Sequence, residues 1–220
     1  MALLPGSVRA AAPGARGFDT DQVLGASDLK ELGTQYKFCL RYIPFDQPQA
    51  DDFSANEAVA ILESGMALMA VYPCPYAKNI WLPNAESGTR YGLRTTQNAA
   101  KLGLPQNLTI WMDLEAISPD AQASDIIDHC NNWYDEVAAQ GYSPGLYVGE
   151  PCGLTGDQLF NSLKFHSYWH SQSADAPAVP VRGFQMIQYA GVPFSDFTID
   201  PNVTQRDLLG GNAQWLIASK

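Results

Sequence analysis

The sequence predicts an α/β protein, a single (β/α)8 TIM-type barrel with degenerate last βα units. Three observations predict it. Eight short apolar segments recur along the 220-residue chain, most of them bounded by Pro, Gly or an acid. For most of the chain they are separated by helical stretches of the length a parallel crossover needs, and eight such units favour closure over an open sheet. The stretch Met66-Ala67-Leu68-Met69-Ala70-Val71-Tyr72 is apolar on both faces, the composition of a strand covered on two sides.

Residues 1–16 are expected to form a loose leading segment and 17–220 the barrel domain. Met1 to Gly6 lacks the basic start and long apolar run of a signal peptide, so the chain is expected to be cytoplasmic as synthesised. The first strand is Gly17 to Asp21, followed by a short helix from Ser27 to Leu32 stopped by Gly33. Phe38 to Ile43 is the second strand, interrupted by Arg41. A cation there needs a carboxylate, and Asp19 or Asp21 is the expected partner. Ser54 and Glu57 have capping-box spacing ahead of a helix that runs to Glu63.

Met66 to Tyr72 is the third strand, and Tyr76 to Ser87 reads as a long loop holding Trp81 and Pro83. A helix over 88–102 stops at Gly103, and Thr109 to Glu115 is the fourth strand. The helix over 120–140 buries Ile126, Ile127, Cys130, Trp133, Tyr134 and Val137, leaving His129 on the surface. Strands at 143–149, 165–172, 184–189 and 196–200 complete the eight, with a short helix over 157–163. Neither 172–184 nor 189–197 has room for a full helix, hence the degenerate ending.

Hydrophobic residues make up 46% of the chain and charged residues 16%, which argues against disorder and for a sizeable core. A net charge of -10, with no Lys or Arg cluster, repels a phosphate backbone, so no nucleic-acid partner is expected. No segment has the apolar length of a membrane span. Cys39, Cys74, Cys130 and Cys152 lack metal-ligand spacing and are read as buried free thiols. No metal and no cofactor are expected, and the chain is expected to be a monomer.

The chemistry centres on the fourth strand. Thr109, Trp111, Asp113 and Glu115 share one face, Ile110, Met112 and Leu114 the other. Asp113 and Glu115 then stand roughly 6–7 Å apart along the strand, looking the same way. Such a pair suits a general acid whose neighbour raises its pKa; it also suits the polar end of a strand. In a closed barrel the carboxyl ends of the strands open on one face, which carries the site. Asp19 ends the first strand and Asp200 the eighth, its neighbour in the ring. Asp21, Arg41, Tyr72, Tyr147, Trp169 and Gln188 stand toward other strand ends. Acids rimmed by aromatics describe a sugar cleft, although Tyr147 and Trp169 suit barrel packing equally. His166 and His170 lie on the face opposite Trp169 and suit packing or surface roles.

The segments Gly17-Phe18-Asp19, Ile110-Trp111-Met112-Asp113-Leu114-Glu115, Gly145-Leu146-Tyr147, Tyr168-Trp169, Gln188-Tyr189 and Ile199-Asp200-Pro201-Asn202 together resemble the family 25 glycoside hydrolases, the muramidases of phage and bacteria. Adding Phe38-Cys39-Leu40-Arg41-Tyr42 and the closing Asp-x-Asn makes the chain more closely similar to bacterial and actinophage glycoside hydrolase-like barrels, a domain of unknown function beside that family.

The resemblance runs from Gly17 to Leu209. It implies Glu115 as general acid with Asp113, Asp19 and Asp200 as the other catalytic residues. Asp21, Arg41, Tyr72, Tyr147, Trp169, Gln188 and Asn202 would contact the substrate. Asp113 would orient the acid or hold an N-acetyl group, and Asp19 or Asp200 would be nucleophile or base. The implied reaction is hydrolysis of a β-1,4-linked amino-sugar glycan, peptidoglycan foremost, at the cell wall after export, lysis or delivery. Arg41 and Val71-Tyr72 depart from the muramidase pattern.

Two other functions fit the same residues. One is a non-catalytic glycan- or wall-binding barrel. The other is a metal-dependent phosphodiesterase, which would want histidines at the mouth; none stands at the ends of the first, second or fourth strands.

Overall fold

The computed structural model describes residues 3–47, 49, 52–75, 80–173 and 175–219. In chain order the elements are β1 (Ser7–Ala10), β2 (Arg16–Thr20), α1 (Ala26–Gln35), β3 (Phe38–Tyr42), α2 (Ala55–Glu63), β4 (Ala67–Tyr72), α3 (Ala85–Leu102) and β5 (Thr109–Leu114). They continue with α4 (Ala123–Ala139), β6 (Ser143–Val148), α5 (Gly156–Asn161), β7 (Tyr168–Ser171), β8 (Met186–Gln188), β9 (Val192–Phe194), β10 (Phe197–Thr204) and β11 (Gln214–Ile217).

Strands β2 to β8 pair in parallel in sequence order, and β10 closes the ring between β8 and β2. The result is the eight-stranded barrel the alternation predicts. The last strand corrects the expectation of eight parallel strands, because β10 runs antiparallel to both neighbours. Only the short β9–β10 hairpin separates it from β8, and without a helical crossover a returning strand must reverse direction. Asp200 therefore reaches the mouth from the first half of its strand, where it pairs with Asp19.

The leading segment is not loose throughout. Residues 7–10 pair antiparallel with β11, a strand the sequence pattern does not reveal, and Leu216 of β11 meets Leu68 of β4. Trp215 lies 5.8 Å from the Phe38 ring, so this pair covers the barrel at the amino ends of its strands.

Two apolar layers hold the ring. Phe38, Leu40, Met69, Val71, Trp111, Trp169 and Met186 fill the interior, while Ile110, Met112 and Leu114 face the helices, as the period-two pattern of β5 requires. Burying each large apolar side chain contributes about 1.5–3 kcal/mol. All four cysteines are buried.

Helix α1 continues past Gly33 to Gln35, where Gly33 sits close to the Ser64 backbone. Ser54 caps α2, but Glu57 does not complete the box because its carboxylate is drawn to Arg41. Of the expected loop, 76–79 lie outside the described residues, and Ala85 already starts α3. His129 is buried rather than exposed. Its Nδ1 lies 2.8 Å from Ser87 Oγ of α3, and burial lowers its pKa to about 4.

Candidate active site

The mouth is organised around Asp19 at the end of β2. This carboxylate is buried and accepts from Asn202 Nδ2 at 2.6 Å, from Gln188 Nε2 at 3.0 Å and from the Tyr42 hydroxyl at 3.3 Å. The two amides are fixed in turn: Trp169 Nε1 donates to Asn202 Oδ1 at 2.8 Å and the Tyr147 hydroxyl to Gln188 Oε1 at 2.6 Å. Side chains from neighbouring strands thus converge on one group. Burial outweighs these donors and raises Asp19 to about 7, with the Asp200 charge adding to the shift.

Asp113 and Glu115 stand on the β5 side. Asp113 is buried, accepts from the Cys74 backbone N–H at 3.5 Å through Oδ2 and is also held by the Cys74 side chain, while Oδ1 has no hydrogen-bond partner among the described residues. Burial and then the Glu115 charge raise its pKa well above the carboxylate range. Carboxylate oxygens of Asp113 and Glu115 and the Cys74 sulfur all lie within 4.8 Å of one another. Glu115 is half-buried one residue past β5. It lies so close to the end of β6 that a Cβ on Gly149 would come within 2.6 Å of its Oε2, so only glycine fits there without displacing it.

A cavity of about 460 Å³ opens beside Asp19, lined by Asp21, Tyr42, Phe45, Phe53, Thr198 and Asp200 among others. Asp200 is half-buried, and its pKa is raised by burial and then by Asp21. Asp113 and Glu115 do not line this cavity.

Asp19 gathers Gln188 and Asn202, Asp113 lies beside Glu115, and the charges of all three acids act on the Tyr147 hydroxyl between them; Asp21 and Asp200 line the cavity. Four expected substrate contacts are corrected. Arg41 lies on the outer face of β3, fully buried, and its Nε donates to Glu57 at 2.7 Å rather than meeting Asp19 or Asp21. Its Nη1 donates to the Thr20 carbonyl. Tyr72 also faces the helices: its ring stacks 5.5 Å from Phe45 and its hydroxyl donates to the Phe45 carbonyl. Tyr147 and Trp169 point inward but are barrel packing, their rings 4.4 Å apart and buried.

Sequence reasoning misses Tyr42, Cys74 and the cavity aromatics Phe45 and Phe53. The alternation Phe38, Leu40, Tyr42 is the available signal for Tyr42. His170 packs 4.1 Å from Phe184 and His166 is exposed, so neither stands among these groups.

The fold has close counterparts. An uncharacterized B. stearothermophilus protein aligns over 90% of this chain and 99% of its own, with 20% identity and a TM-score of 0.64. A bacterial lysozyme from Streptomyces coelicolor covers 88% and 93%, at 13% identity and a TM-score of 0.60. A family 25 glycosyl hydrolase from Bacillus anthracis covers 87% and 89%, at 15% identity and a TM-score of 0.60. No curated protein matches. The family model described as "Rv2525c-like, glycoside hydrolase-like domain" matches residues 28–201, and the chain belongs to that family.

Proposed function

We propose that this chain is a glycoside hydrolase that cleaves a β-1,4-linked amino-sugar glycan, peptidoglycan foremost, with Glu115 as proton donor. The observation that carries the proposal is the close approach of Glu115 to the buried Asp113. Two carboxyls so near cannot both ionise cheaply, so the pair keeps a shared proton to higher pH than a lone carboxyl would. Glu115, the more exposed member, passes it to the glycosidic oxygen.

With the shared proton on Glu115, the Asp113 carboxylate accepts a hydrogen bond from it or from the N–H of an N-acetyl group and so orients either. Asp19 and Asp200, across the mouth, answer the positive charge that develops at the anomeric carbon. The neighbouring autolysin LytC from Streptococcus pneumoniae, solved with a synthetic peptidoglycan ligand, supports the substrate class. In this proposal the chain meets the cell wall after export, lysis or delivery and works as a monomer.

Reducing ends released from purified peptidoglycan test it. Glu115→Gln should lower the rate by roughly 10²–10⁴-fold, the contribution of a positioned general acid. One observation favours a second reading, a non-catalytic glycan-binding barrel: the open cavity is lined by Asp19 and Asp200 but not by Asp113 or Glu115. If wild type and Glu115→Gln both sediment with the polymer and neither releases reducing ends, binding is the function.

A further inference from the structure

We propose that Cys74, Asp113 and Glu115 form a site for a borderline-soft divalent cation of the zinc class, and that filling it silences the proton donor. The second half rests on the function proposed above; the first does not.

Three observations meet here. The sulfur and one oxygen from each carboxyl group lie within 4.8 Å of one another, although they come from the loop after β4 and the end of β5. Asp113 Oδ1 is buried without a hydrogen-bond partner among the described residues, a costly state for such a group unless something coordinates it. A small void of about 10 Å³ adjoins Asp113 and Cys74.

Cys74 also differs from its three counterparts. Cys39, Cys130 and Cys152 belong to the apolar layer between barrel and helices, whereas Cys74 belongs to neither apolar cluster.

The donor set selects the ion. One thiolate with two carboxylates suits zinc and disfavours magnesium or calcium, which take oxygen alone. Tetrahedral zinc holds such donors about 3.5 Å apart. The three groups must therefore close by at most about 1 Å, toward which rotation of the half-buried Glu115 side chain contributes. Three protein ligands leave a fourth position for water or a glycan oxygen. With its carboxylate on the metal, Glu115 has no proton to give.

The test uses the full metal-free chain. Zinc binding is followed by calorimetry, and cobalt(II) is substituted to look for thiolate-to-cobalt charge transfer. Wild type should bind one zinc per chain and show the band. Cys74→Ser, checked for folding by circular dichroism, should lose the band and weaken zinc binding by more than about 10- to 100-fold, the effect of losing merely an outer-shell partner. Glu115→Gln should weaken binding while keeping the band.

Equal zinc affinity in wild type and Cys74→Ser, or cobalt bound without the band, overturns the site. Binding that leaves glycan cleavage untouched overturns the silencing. Should the protein cleave no glycan at all, the function falls while the binding measurements still decide the site.

Discussion

The indole N–H of Trp81 donates to the backbone carbonyl of Glu115 across 2.9 Å. The Trp81 backbone N–H adds a bond to the Ala116 carbonyl at 3.1 Å, and Ala116 holds a φ of 54°, in the left-handed region. That conformation costs a non-glycine residue about 1–2 kcal/mol, so the strand end is held by this tether against its own preference. Trp81→Phe keeps an aromatic ring but removes the donor. Cleavage should fall by up to about 10²-fold through misplacement of Glu115, with only about 0.5–1.5 kcal/mol lost in urea unfolding. Unchanged turnover would show that the tether does not position the acid.

Gly149→Ala attacks the same carboxylate from the other side. The added methyl would stand 2.6 Å from both Cβ and Oε2 of Glu115 and 2.8 Å from Tyr147 Cε1, so rotating the carboxylate gives no relief and the chain at Glu115 must shift away. The reducing-end assay should show a drop of about 10²-fold, the effect of a displacement near 1 Å. A crystal structure of the variant should show the strand ends at Glu115 and position 149 moved apart, carrying the Glu115 carboxyl with them.

Asp19 makes stability depend on pH. Its carboxyl titrates at 3.8 in an unstructured chain and at about 7 when folded. Below the lower value both states are protonated. Between the two, the unfolded chain ionises and the folded one does not, so stability falls as pH rises; above about 7 both are ionised and the loss is complete. From pH 5 to 8 this group should remove about 3 kcal/mol. Asp113 shifts in the same direction, so the measurement is a difference: urea unfolding at both pH values, wild type against Asp19→Asn. Equal slopes would show that Asp19 is ionised in the folded state.

The buried Arg41–Glu57 pair is predicted to be structural. Both side chains are nearly inaccessible, and Arg41 Nη2 and Glu57 Oε2 have no hydrogen-bond partner among the described residues. Removing only the arginine strands the carboxylate, so Arg41→Met should cost about 3–5 kcal/mol. Adding Glu57→Gln should recover most of it, because a neutral amide can still accept from the Leu24 N–H that Glu57 Oε1 binds at 3.1 Å. Failure of the second change to rescue thermal stability would mean that the charge itself was not the cost.

Legibility follows period and locality. The two faces of β5 are readable because side chains alternate, and the ring places Asp19 near Gln188 and Asn202 once eight strands are counted. Arg41 is misplaced by the sequence reading although Leu40 and Tyr42 flank it: parity sends it outward, and its partner lies 16 positions downstream on α2. His129 and Cys74 depend on contacts with other elements, which no single segment's pattern records. The direction of β10 is hidden in the shortness of the segment before it. The polar and apolar mixture of Gln214-Trp215-Leu216-Ile217 carries little strand signal until β1 pairs with it.

The reversed β10 has a consequence for how this barrel can vary. In a uniformly wound ring every mouth loop leaves a strand and must lead into a helix, which limits its length and course. Here the β9–β10 hairpin delivers the chain to the rim beside Asp200 without any helix to satisfy. Residues can be added or lost at its tip while the pairing of Asp200 with Asp19 stays in register. The reach of the cavity wall can thus be retailored independently of the acids beneath it.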